Sequence, residues 1–123
     1  MKRFLFSLSY AIKGIRILFS SQKNAHYHGY MALIVCIMGW IFHISSLEWV
    51  VLIACIGLVL FAECLNTTIE FIIDFISPDY HIKAGQIKDL AAGSVLILSI
   101  TTFIIGLIIF IPKVWPYFKV IRN

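Results

Sequence analysis

Charge is scarce in this sequence. Of 123 residues only 13% are Asp, Glu, Lys or Arg, while 61% are hydrophobic and mean hydropathy is +0.97. Disordered chains need the reverse balance, and average soluble domains carry about 25% charge, so both classes are disfavoured and a multi-span membrane protein fits. Cysteine is also sparse. Cys36, Cys55 and Cys64 are odd in number, form no CxxC and lie in apolar stretches, which excludes a disulfide framework or a zinc site and leaves small buried hydrophobes. No GxxxxGK[ST], GxGxxG or HRD pattern occurs, so any nucleotide is held by means outside those folds. Basic residues never cluster beyond pairs. The net charge of +4 therefore suits an anionic membrane surface rather than nucleic acid. Internal repeats, long linkers and low-complexity tracts are absent, and residues 1–123 read as one domain.

Three long apolar runs are present. They cover about residues 27–44, 49–74 and 90–111. The middle run carries a single charge, Glu63, up to residue 69, and the last is closed by Pro112-Lys113. Each approaches the ~20 residues needed to cross a bilayer. Residues 45–48 read as a tight turn between antiparallel neighbours. About residues 3–20 differ. Lys2, Ser9, Lys13, Arg16 and Ser20 fall on one helical stripe, and Phe4, Leu5, Leu8, Ile12, Ile15 and Phe19 on the other side. That predicts an amphipathic helix lying in the membrane interface. A signal peptide is the competing reading, but Lys13 breaks its apolar region and no small-x-small site follows. The expected fold is all-α and integral to the membrane: a surface helix plus three transmembrane helices.

Orientation follows the basic residues. Lys2, Arg3, Lys13, Arg16, Lys23, Lys83 and Lys88 lie on one side, against Lys113, Lys119 and Arg122 on the other. This places the N-terminus in the cytosol, in a multi-pass protein of the cytoplasmic (inner) membrane. Trp40, Trp49 and Trp115 sit near span ends, as an aromatic belt requires. His26 and His28 are two residues apart and point to different helix faces, so they read as interfacial histidines rather than a metal pair.

The acids are the informative residues, because a carboxylate within or beside a span costs several kcal/mol unless it meets a partner or water. At 100° per residue, Glu63, Asn66, Glu70 and Asp74 fall within an arc of about 80°. Three acids on one face repel unless a cation sits among them, and hard oxygen ligands suit Mg²⁺. Solvated helix ends are the bland alternative. It has most force for Asp74, furthest from the bilayer, and least for Glu63, set among Leu60, Phe61 and Leu65. Lys88 and Asp89 enter the last span at the same depth as Glu70. A lysine there meets a phosphate, or else snorkels as an anchor. The run Ala91-Ala92-Gly93-Ser94 allows close approach of another helix.

The pattern Glu63-x-x-Asn66-Thr67-Thr68-Ile69-Glu70-x-x-x-Asp74, followed by Lys88-Asp89, resembles the small prokaryotic diacylglycerol kinase family, which includes the undecaprenol kinases. Ser77-Pro78-Asp79-Tyr80-His81 is similar to its SPEYH loop, and the loop and the Ile-Pro-Lys end of the last span look more like the undecaprenol branch. The resemblance implies a homotrimer with active sites shared between protomers, transferring the γ-phosphate of ATP to a lipid hydroxyl at the cytosolic interface. It implies Glu63 as general base and Glu70 as a Mg²⁺ ligand, with Asn66 and Asp74 ordering the site. Arg3, Tyr10, Lys88, Asp89 and the Asp79-Tyr80-His81 loop would contact ATP. The family usually carries a second metal-binding Glu in the linker after the surface helix. The matching residue here is Gln22, whose carbonyl can bind Mg²⁺ but adds no charge. Two other functions remain open on residues alone. One is an ion-transport component, disfavoured because the acids lie at one interface and no inverted repeat exists. The other is a non-catalytic membrane-assembly protein.

Overall fold

The computed structural model describes residues 2–79 and 81–121. Four helices follow one another: α1 Lys2–Ser21, α2 Lys23–Ile41, α3 Ser46–Ile76 and α4 Ile82–Ile121. α3 and α4 form the main antiparallel pair, α2 packs on α3, and α1 lies against α2 and α3.

Helix ends differ from the sequence expectation for local reasons. α2 stops at Ile41, not near residue 44, because the chain closes it with a C-terminal cap. His43 adopts a left-handed φ of 48°, its N–H bonds to Trp40 O, and the Ile44 N–H reaches back to Gly39 O. Those two bonds satisfy carbonyls that the last turn leaves free. Gly39 is there for space: a Cβ on it would sit 3.0 Å from both Ile44 Cδ1 and the Trp49 ring. The expected turn at 45–48 is instead the start of α3. Ser45 caps it by accepting from the Glu48 N–H, and the Glu48 side chain accepts from the Ser45 N–H. This reciprocal box satisfies two orphan donors, and its Ser-x-x-Glu signature stands in the sequence. At the other boundary, α4 runs through Pro112 and Pro116 rather than ending at the first.

Three helical stretches are long and apolar enough to cross a membrane: Arg3–Ser21, Ser46–Ile76 and Ile82–Pro116. α2 is not among them. Lys23, Asn24, His26 and His28 occupy its first two turns, leaving only 31–41 free of strongly polar side chains. α3 is about 46 Å long by its rise, against a hydrocarbon core of about 30 Å, so its polar end has room to project beyond the apolar layer.

The best-packed region lies at the α2–α3 turn. Ile44, Leu52, Ile109 and Phe110 are buried there, with Val35, Met38, Phe42 and Trp49 against them. Phe42 and Phe110 meet edge-on at 6.4 Å. Outward positions along the helices, such as Leu33, Ile53, Leu96 and Ile108, are large and exposed. That distribution suits lipid or further helices outside the chain. The opposite end of the bundle is held by polar contacts, and these form the candidate site.

Candidate active site

The acidic face of α3 is graded in depth. Glu63 and Asn66 are buried at 2% and 7% exposure, Glu70 is half-buried, and Asp74 is exposed. Thr67, also buried, gives its hydroxyl to Glu63 O and so turns inward without competing for a carboxylate. The gradient follows distance along the helix: Glu63, Asn66 and Thr67, about three turns inside the end at Ile76, are buried, and exposure rises toward Asp74.

Each acid finds its own partner. Glu63 Oε1 lies 3.3 Å from His28 Nε2 of α2. Glu70 accepts from two amides: Gln22 Nε2 donates to Oε2 at 2.7 Å, and Asn66 Nδ2 to Oε1 at 3.0 Å. Asp74 is ion-paired with Lys88 of α4. The three carboxylates on this face thus have separate polar contacts, reaching α2, the α1–α2 junction and α4. Among the described residues no three His, Cys, Asp or Glu side chains converge as a metal site.

Gln22 is positioned by a break in the chain. It is the extended residue between α1 and α2, its N–H still bonded to Leu18 O, and no side-chain bond caps α2. Its amide is thus free to reach across to Glu70, 48 residues away in sequence. Buried Ala25 and the edge-on Phe19–His26 pair keep the two helices folded together there. Asn66 Oδ1 is buried with no hydrogen-bond partner, an acceptor left open beside Glu70.

The remaining expected residues are more dispersed. Arg3 and Tyr10 are exposed on α1, about 28 Å and about 18 Å from Gln22 along the helix rise, and Tyr10 carries Lys13 Nζ over its ring at 5.4 Å. Asp79 is exposed, with its carbonyl accepting from Ser77 Oγ at 3.3 Å. His81 Nδ1 accepts from the Lys83 N–H at 3.2 Å, and together with Gln86 these residues line a shallow hollow at the start of α4. Tyr80 lies outside the described residues. Asp89 is exposed. The chain by itself gathers Gln22, Glu63, Asn66 and Glu70, and separately Asp74 with Lys88. It leaves Arg3 and Tyr10 apart from both.

His28 is the residue that sequence reasoning missed. Its spacing from His26 argued for an interfacial residue and gave no hint of a contact with Glu63 on another helix. Its position on the polar first turns of α2 was the only available signal. His28 also lines an apolar groove of 410 Å³ between α2, α3 and α4, with Met31, Val59 and Phe103 among the walls and Ser99 at its side.

Comparison with known proteins places this geometry. The sequence model of prokaryotic diacylglycerol kinase matches residues 9–110, a stretch holding every member of the cluster but not Arg3. The chain is 36% identical to an undecaprenol kinase of Bacillus subtilis over 113 residues, 92% of each chain. It is 32% identical to a diacylglycerol kinase of Synechocystis over 109 residues, covering 88% of this chain and 62% of that one. It is also 28% identical to a diacylglycerol kinase of Escherichia coli over 116 residues, 94% and 92% of the two chains. With the family pattern spanning most of its length and the acidic face of α3 inside it, this chain belongs to the prokaryotic diacylglycerol kinase family.

Proposed function

We propose that this protein is a membrane lipid kinase that transfers the γ-phosphate of ATP to the hydroxyl of a lipid alcohol at the cytosolic face of the inner membrane. The observation that carries this reading is the convergence of Gln22, Asn66 and Glu70 next to the buried Glu63, in a chain of this family. Undecaprenol is the first choice of acceptor, because the relative with the higher identity is named for it; diacylglycerol is the second. The transporter and assembly readings lose ground, since the relatives are named as kinases.

Phosphoryl transfer asks a protein mainly for positioning and charge neutralisation. Glu63 is suited to take the proton of the lipid hydroxyl as the oxygen attacks the γ-phosphorus and ADP departs. Its depth, among Leu60 and Val59, matches a headgroup just inside the interface. Asn66 fixes the orientation of Glu70. Lys88, tethered by Asp74, is the cation we assign to the triphosphate, with Asp89, Asp79 and His81 near it on the helix ends; Tyr80 keeps the nucleotide role that the resemblance implies. Arg3 and Tyr10 join the nucleotide only if α1 meets another protomer, which suits a homotrimer with shared sites. Lys13 and Arg16 midway along α1 favour a helix lying in the interface over one crossing the bilayer.

The donor set fits a magnesium ion. Glu70, the Gln22 amide oxygen and the open Asn66 Oδ1 are all hard oxygens, and Mg²⁺ in kinase sites takes one or two carboxylates plus substrate phosphates. Bound there, it would neutralise charge on the β- and γ-phosphates. Gln22 must turn its amide for this, because its NH₂ end now faces Glu70.

The purified protein, given γ-labelled ATP and Mg²⁺ with undecaprenol and diacylglycerol side by side, is expected to label undecaprenol faster. Labelling of diacylglycerol alone would reassign the substrate, and labelling of neither would overturn the kinase reading. Gln22→Glu is expected to shift the Mg²⁺ requirement. It sets two carboxylates where one amide bond of 2.7 Å stands now, so the pair repels until a cation enters. Half-maximal activity should then need about tenfold less Mg²⁺, equivalent to about 1.4 kcal/mol. The variant should also melt lower than wild type in EDTA and regain stability as Mg²⁺ is added. An unmoved titration and an EDTA-insensitive melt would remove Gln22 from the metal position.

A further inference from the structure

A base as deeply set as Glu63 has to be emptied once per turnover. Its side chain is 3% exposed, so water reaches it poorly. Along α3 nothing can take the proton away: the Thr67 hydroxyl is committed to Glu63 O, and both oxygens of Glu70 are occupied by amides. Across the interface stands His28, with Nε2 at 3.3 Å from Glu63 Oε1 and its side chain 25% exposed. The same imidazole lines the apolar groove between α2, α3 and α4, whereas Glu63 is not part of that lining. His28 thus touches the carboxylate on one side and the groove and solvent on the other.

We propose that His28 is the positioning residue of Glu63 and the route by which the substrate proton leaves it. The inference rests on Glu63 being the base of the kinase reaction. The lipid O–H bond breaks as the new O–P bond forms, and its proton goes to Glu63. With the ring in its Nδ1–H tautomer, that proton then passes from the carboxyl to the free Nε2 while the Nδ1 proton leaves for water, and exchange with water returns the ring to the Nδ1–H form. No oxidant or further reactant is needed. In the Nε2–H form that each transfer leaves, the ring donates to Oε1 and holds the emptied carboxylate in place until exchange resets it. A ring between a buried carboxylate and an apolar channel further limits the approach of water from the membrane side.

The test uses the full-length protein in lipid, with wild type, His28→Gln, His28→Ala and Glu63→Gln assayed for kcat and for the KM of the lipid. His28→Gln keeps a donor of similar reach but cannot carry a proton. It should lower kcat about 10–10²-fold, toward the lower end of acid–base effects, with little change in KM. Added imidazole should restore part of the rate in His28→Ala and none in Glu63→Gln, a response a merely structural histidine would not give. Wild-type kcat in His28→Gln, or folded but unrescued His28→Ala, overturns the proposal. Failure of both variants to fold also overturns it, since the ring would then serve packing. Inactive wild type would instead refute the kinase reading itself, so the two failures are distinguishable.

Discussion

Glu63→Gln is expected to lower lipid phosphorylation about 10²–10⁴-fold, the range general base catalysis supplies. The substitution keeps the volume of a side chain that is 2% exposed and retains a carbonyl to face His28, so the fold should persist. What disappears is the proton acceptor. The effect should fall on kcat, because the proton moves as the transition state forms, not on binding. Turnover close to wild type would end the assignment of Glu63 as base. Loss of the folded protein would identify the Glu63–His28 contact as a structural pair, for which removing one buried partner is the damaging change.

Glu70→Ala should be nearly as severe in activity and worse in stability. Two amides, from Gln22 and Asn66, point at this one carboxylate, and Asn66 is buried. Truncation strands both donors, and an unsatisfied buried donor costs about 1–3 kcal/mol. Glu70→Gln separates the two roles. Its carbonyl accepts one of the two amides, so its melting temperature should fall between those of wild type and Glu70→Ala. Its activity should drop with Glu70→Ala, by about 10²-fold or more, because a Lewis-acid contribution of several kcal/mol depends on the charge. Thermal unfolding and labelled-lipid assays on the three proteins check this. An active Glu70→Gln would show that the residue serves only as an amide acceptor.

The acidic face of α3 was legible because helical periodicity is local. Spacings of three, four and four place Glu63, Asn66, Glu70 and Asp74 together whatever the rest of the chain does. Their burial gradient was legible in outline for the same reason, since it follows distance along one axis. Partners were another matter. His28 and Lys88 meet their acids through packing of α2 and α4 on α3, which residue spacing does not encode. Gln22 could be singled out only through the family resemblance. Helix ends failed where capping decides them. The Ser45–Glu48 box was written in the sequence but read as a turn, and His43 holds a left-handed conformation more usual for glycine. Proline at 112 looked like a stop, yet α4 continues past it. The division of α1 and α2 between interface and bilayer was the hardest to read. The two helices are close in length, and each mixes apolar runs with a few cations or histidines.

The α3–α4 hairpin is pinned at both extremities by one ion pair each, Asp74–Lys88 near the site and Glu48–Lys113 (3.2 Å) at the far end. From Glu48 to Asp74 the chain climbs about 39 Å, and from Lys88 to Lys113 it descends about 38 Å. The two struts are matched in length, so they act as a vernier. Sliding α4 by one turn moves it about 5.4 Å and breaks both clamps together. The apolar packing of Leu52 against Ile109 and Phe110, with an ion pair at either end, holds this alignment without the segment that joins the two helices. Residues 77–81 can be lengthened, shortened or recomposed without dragging Lys88 away from the acidic face. A binding loop freed in this way from the work of holding helices in step can diversify for its ligand while the reaction centre stays in place.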